Sequence, residues 1–225
     1  RMLSYEAARQ NKLKIDWATY TPPTPAFPGV TVLEDFPLEE IKKYIDWTPF
    51  FQAWELAGKY PAILTDEVVG EAATDLFKDV NKLMDEAIKG KWLQANGVIG
   101  LWPANTVEDD LIEIYEDDTR STVIKTLITR RQQQQKAAGL PNISLSDFIA
   151  PKESGVKDYI GGFAVTGGMN IETKLEEFEA NHDVYNSIML KALADRFAEA
   201  FAECLHHKVR TQYWGYASDE NLNNE

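Results

Sequence analysis

Cysteine occurs once in these 225 residues, at Cys204, histidine three times, and cations are outnumbered, with 23 Lys and Arg against 36 Asp and Glu. One cysteine excludes an internal disulfide framework and any multi-cysteine metal site, and it fits a reducing cytoplasm. His206 and His207 are adjacent, so on a helix they point about 100° apart and form no joint ligand pair; with only His182 besides, no metal site is expected. A net charge of −13 repels a nucleic-acid backbone, so no DNA or RNA partner is expected. No run approaches the about 18 to 20 apolar residues of a membrane-spanning helix. The start, Arg1-Met2-Leu3-Ser4-Tyr5, lacks an apolar stretch of leader length, and Arg1-Met2 suggests an excised piece or a cloning junction. Neither a phosphate loop ending Gly-Lys-Ser/Thr nor a GxGxxG turn occurs, so Gly161-Gly162 and Gly167-Gly168 support phosphate binding only weakly. They do allow another backbone or an extended ligand to come close.

What is present is amphipathic and mixed. Thr21 to Gly29 holds four prolines and reads as a wrapping segment, with Trp17, Tyr20 and Phe27 as residues that favour burial. Short helices are predicted over Leu38–Tyr44 and Pro49–Ala57, the second capped by Thr48 and closed by Gly58. Val68, Ala72, Leu76, Val80, Leu83 and Ala87 recur at helical spacing between a cap at Asp66 and a stop at Gly90. Val30–Leu33, Gly97–Trp102, Leu111–Tyr115, Thr122–Thr129 and Tyr159–Thr166 read as strands, the second and third joined by the acidic turn Val107–Asp110. Ser146 or Asp147 is a candidate cap of a short turn. Glu172–Ala180 and a long helix from Asp183 to about Arg210 follow, the latter burying Ile188, Ala192, Phe197, Ala200, Phe201 and Leu205. The fold class is α+β: a small twisted antiparallel sheet flanked by helices, a long C-terminal helix and an extended Pro-rich N-terminal arm. Residues 1–36 form the arm and 37–225 the body of a single domain fragment.

Candidate chemistry is sparse. Tyr44-Ile45-Asp46-Trp47-Thr48-Pro49-Phe50-Phe51 places one carboxylate among four rings at a helix start, which suits a ligand with a cationic and a flat part. Local sequence alone favours the other reading of Asp46, a turn or capping residue. Lys191, Asp195, Glu199 and Glu203 stack at four-residue steps on the long helix, where like charges repel by a few tenths of a kcal/mol. This row is a binding face or a solvated one. Arg120, Lys125, Arg130, Arg131 and Lys136 make the one basic concentration, a docking patch for an acidic protein or a solvated strand end. Cys204 reads as a buried helix residue.

The series taken in order resembles a known family. Tyr44 to Phe51, followed by Trp54, Leu56-Ala57-Gly58-Lys59-Tyr60-Pro61, Asp66-Glu67-Val68-Val69-Gly70 and Phe77-Lys78-Asp79, is similar to the activation domain of cobalamin-dependent methionine synthase. Gly100-Leu101-Trp102-Pro103-Ala104-Asn105, Ile112-Glu113-Ile114-Tyr115, Leu145 to Pro151 and Asp158-Tyr159-Ile160-Gly161 continue it. So do Ala164-Val165-Thr166-Gly167-Gly168, Lys191 to Arg196 and Tyr213-Trp214-Gly215-Tyr216. The resemblance implies a cytoplasmic methyltransferase module that binds S-adenosylmethionine. The full enzyme transfers a methyl group from 5-methyltetrahydrofolate to homocysteine through cobalamin, and this domain serves the reductive methylation of cob(II)alamin. It implies that Asp46 holds the amino group of S-adenosylmethionine and that Asp195 and Glu199 face the cobalamin-binding domain of the same polypeptide. Flavodoxin or a related reductase is the implied electron donor, cobalamin is held by the neighbouring domain, and zinc belongs to another domain of the full enzyme. The family's Arg-x-x-x-Gly-Tyr-Pro motif, which supplies further ligand contacts, is not among these residues. The fragment alone is therefore expected to be inactive and to bind S-adenosylmethionine weakly or not at all. The alternatives are a non-catalytic docking module for a cobalamin domain and a flavodoxin-like reductase, using the helix acids and the basic patch, and a stand-alone protein of this fold with another ligand.

Overall fold

The computed structural model describes residues 1–220. The polar stretch Ala217–Glu225, expected to have no core role, lies partly outside them. Among the described residues eleven helices and strands of regular type run in the order α1 (Tyr5–Gln10), β1 (Gly29–Leu33), α2 (Leu38–Ile41), α3 (Thr48–Ala53), α4 (Gly70–Gly90), β2 (Gln94–Val107), β3 (Leu111–Tyr115), β4 (Val123–Ile128), β5 (Asp158–Met169), α5 (Glu172–Ala180) and α6 (Val184–Lys208). The strands form one five-stranded sheet in the order β1-β2-β3-β4, with β5 pairing β2. The β2–β3 and β3–β4 pairs are antiparallel, with Ala104 opposite Ile114 and Leu111 opposite Ile128. The fold is α+β, and the long helix continues through a π-type turn, Val209–Tyr213.

Two compact units divide the chain. One comprises Arg1–Val30, Gly100–Gly162 and Arg210–Asp219; the other comprises Thr31–Ile99 and Phe163–Val209. In the first, Ala104, Ile112, Ile114 and Ile149 make the core, flanked by Trp102, Leu127 and Ile160. Two arginines hold the loops around it. Arg131, fully buried, forks onto both oxygens of Asp147 at 2.7 Å and reaches Asp110 Oδ1 at 2.7 Å. Such bidentate pairing offsets the desolvation of three buried charges. Arg120 donates to Ala104 O, Asn105 Oδ1 and Asp158 O, with its guanidinium 5.6 and 5.3 Å from the Tyr115 and Tyr159 ring centres. Both arginines therefore leave the basic patch expected from sequence: their charge is used inside the unit.

In the second unit α6 packs against α2, α3, α4 and α5. Its buried stripe is Met189, Leu190, Leu193, Phe197, Ala200, Phe201, Cys204 and Leu205. Ile188, expected on this face, is instead half exposed, because the stripe is set by Met189 and Leu190 one and two residues on. Asp183 caps the helix by accepting from Asn186 N, as the Ser/Thr/Asp/Asn preference at that position favours. Gly167 lets β5 meet α6 backbone to backbone: a Cβ there would lie 2.5 Å from Ala198 N. The close approach expected of these glycines is thus filled by a helix.

Local boundaries differ from expectation in physically readable ways. α4 begins at Gly70, after Val69 and not at a cap on Asp66, and stops at Gly90 as expected, with Lys91 in the left-handed region as its C-cap; Gly90 is small because a Cβ would collide with the Trp92 indole at 2.3 Å. α3 stops at Ala53, ahead of Gly58, and Glu55 takes the left-handed conformation. Ser144, not Ser146 or Asp147, caps the turn Leu145–Phe148, with Asp147 as the reciprocal member of the capping box. The N-terminal arm contains a six-residue helix, started by Ser4 accepting from Ala7 N. Tyr20 and Phe27 stay exposed, since the arm is held mainly by polar contacts.

Candidate functional site

Asp46 sits between the 3-10 turn Lys42–Tyr44 and α3. Its Oδ1 accepts from Thr48 N at 2.9 Å, an Asx turn that fixes the carboxylate. Thr48 is accordingly the first residue of the helix and not its cap. Its hydroxyl accepts from Tyr60 N at 3.2 Å, tying a second loop to the same turn. Asp46 itself is exposed, and its Oδ2 accepts no hydrogen bond among the described residues. The turn reading and the ligand reading are therefore compatible, since one oxygen organises the backbone and the other is left without a described partner on an exposed residue.

The support beneath this turn is aromatic. Trp47, 8% exposed, packs edge-on against Phe50 at 5.6 Å and Phe77 at 5.2 Å. Phe51 adjoins Phe50 and Phe77, and Tyr60 lies 5.3 Å from Phe77. Edge-to-face rings of this kind give a rigid floor. Asp46 is thus a carboxylate on a hydrogen-bonded turn backed by packed rings, suited to an ammonium group.

Asp195 and Glu199 are exposed on α6, on turns whose inner positions are Leu193, Phe197 and Ala200. Neither makes an ion pair or side-chain hydrogen bond with another described residue. Asp46 and these two acids belong to the same compact unit but to different elements, and no hydrogen bond joins them.

Two contacts of the same unit were not legible from spacing, while Cys204 is buried in the long helix as expected. Tyr44 hydrogen-bonds His207 Nδ1 at 2.8 Å. Burial pushes the buried Cys204 thiol up to about 11, which makes it a poor nucleophile. Tyr185 donates to Asp79 and packs 5.3 Å from Trp54, and burial together with that carboxylate pushes its hydroxyl up to about 12. The Tyr44–His207 and Tyr185–Asp79 contacts each pair residues far apart in sequence, for which no local signal exists. Among the described residues no cluster of three or more His, Cys, Asp or Glu is arranged to hold a metal ion, and no helix is long and apolar enough to cross a membrane.

A crystal structure of the MetH reactivation domain bound to AdoHcy superposes with a TM-score of 0.94 at 55% identity, over 99% of this chain and 68% of that chain. The family described as vitamin B12 dependent methionine synthase, activation domain, matches residues 37–225. The chain belongs to that family, and so to a module of a cobalamin-dependent methyltransferase.

Proposed function

We propose that the domain this chain belongs to binds S-adenosylmethionine, with Asp46 of this chain holding its amino group, and that it serves the reductive methylation of cob(II)alamin. The observation that carries the reading is the exposed Asp46 carboxylate on a turn fixed by Thr48, in a chain 55% identical to a relative bound to AdoHcy. S-adenosylmethionine would supply the methyl group, and the chain's own contribution is to hold and orient it. The residues fit such a ligand: a fixed, solvent-facing anion over an aromatic floor accepts an ammonium in a charge-assisted hydrogen bond. Cobalamin would be held by the neighbouring domain, with Asp195 and Glu199 facing it, and a flavodoxin-like reductase would supply the electron in the cytoplasm.

Titration calorimetry with S-adenosylmethionine on the complete domain tests the site, since this fragment alone is expected to bind weakly or not at all. A hydrogen bond to a charged group contributes about 1.5 to 3 kcal/mol, so Asp46→Ala should weaken binding by roughly tenfold to over a hundredfold. Asp195→Ala and Glu199→Ala should leave that affinity unchanged while weakening association with a cobalamin-binding domain. Equal affinities for wild type and Asp46→Ala would sink the assignment.

A further inference from the structure

Residues 1–28 lie ahead of the segment matched by the family, and their contacts are concentrated at two ends. At one end the Tyr5 hydroxyl donates to Asp110, Arg9 pairs with Asp109 Oδ2 at 2.9 Å, and Lys12 pairs with the same carboxylate. Backbone bonds Leu3 N to Gln133 O and Gln135 N to Arg1 O reinforce this end. At the other end Trp214 Nε1 donates to Pro23 O at 2.8 Å, while Ala26 N and Phe27 N donate to Trp214 O and Tyr213 O. Residues 13–22 hydrogen-bond only to one another among the described residues. There the chain borders a cleft of about 150 Å³, lined by Leu13, Ile15 and Trp17 together with Thr106 and Ile149.

We propose that residues 1–28 are a salt-releasable belt: an ion-pair latch on the Asp109–Asp110 turn and a buckle on Tyr213–Trp214, coupled through the unbonded span between them. All of its contacts fall within one compact unit. The coupling follows from connectivity: releasing the latch frees the chain ahead of the buckle and leaves Ala26 and Phe27 anchored only from β1, which begins at Gly29. The latch is the sensitive end because Arg9, Lys12 and Asp109 side chains are each about one-third exposed (33%, 36% and 31%), and exposed pairs are screened by salt. The buckle is backbone and indole hydrogen bonding, on which salt acts little.

Hydrogen–deuterium exchange on the full chain tests the coupling. Arg9→Gln with Lys12→Gln should speed exchange of the Ala26 and Phe27 amides by about threefold to tenfold, besides that of Leu3. In wild type, raising NaCl from about 0.02 to about 0.5 M should speed the same amides, and the double variant should show no further response. Coupling is reciprocal, so Trp214→Phe, which deletes one buckle bond, should speed exchange at Leu3. Acceleration confined to the end that was altered would overturn the belt. So would equal acceleration at the Thr106 amide, which donates to Ala150 O outside the belt.

Discussion

Replacing Gly167 by alanine adds one methyl group at the place where β5 meets α6. The new Cβ would lie 2.5 Å from Ala198 N, 2.7 Å from the Phe197 carbonyl carbon and 2.9 Å from Ala198 Cα. All three are backbone atoms, so no side chain can swing aside. Ordinary contact begins near 3.4 Å, and 3.4 − 2.5 leaves 0.9 Å of separation to be found. Helix α6 is packed on α2, α3, α4 and α5, so it yields only by disturbing those contacts. Overpacking of this kind costs about 1 to 3 kcal/mol. Urea denaturation followed by tryptophan fluorescence measures it. Gly162→Ala is the control: its Cβ meets nothing within 4 Å and its φ is not left-handed, so a change within about 1 kcal/mol, neutral or stabilising, is expected. Ala198 lies next to Glu199 and one turn from Asp195, so the acids move with the helix. If Gly167→Ala is tolerated as well as Gly162→Ala, the backbone contact does not constrain the helix and the reasoning fails.

Two further outcomes are expected. Arg131→Ala leaves Asp110 and Asp147 buried without their shared cation and should destabilise the chain by about 3 to 5 kcal/mol; a loss below about 1 kcal/mol in the same urea titration would show that the network is not needed. Burial raises Cys204 from 9.0 to about 11; for an acid whose folded pKa is raised, stability is intact below the unfolded value and falls as pH rises through the folded one. The stability advantage of wild type over Cys204→Ala should therefore shrink between pH 9 and 11, and a constant difference across that window would contradict the burial argument.

Much of this architecture is readable from local pattern. The spacing of Leu76, Val80, Leu83 and Ala87 places α4 because a helix needs one apolar stripe, although Val68 and Ala72, expected on that stripe, are exposed; the acidic turn before Leu111 marks the hairpin because strands alternate around turn residues. The long helix is legible as an element, but its inner face is not fully so: Ile188 and Met189 are both apolar, and only tertiary packing chooses Met189. Arg120 and Arg131 carry no sequence mark distinguishing them from Lys125, since an interior arginine is defined by distant acceptors. Asp46 is the instructive case. Local sequence identifies an anion beside rings, and the structure adds how one oxygen is tied to Thr48. Asp195 and Glu199 show only that an exposed acidic row exists; spacing carries no information about what faces it.

Strand β2 has a consequence for how this sequence can drift. Burial alternates along Gln94–Val98 and then becomes nearly unbroken from Ile99 to Thr106, interrupted only at Trp102. The first five positions obey a two-residue rhythm in which every other side chain is replaceable. The rest behave as a block with no neutral position except through compensating change. Polar residues survive in that block only as Asn105, which donates to Ala150 O and Val156 O, and Thr106, which donates to Ser146 O. One strand thus holds a permissive half and a frozen half, and divergence among relatives should accumulate in the first.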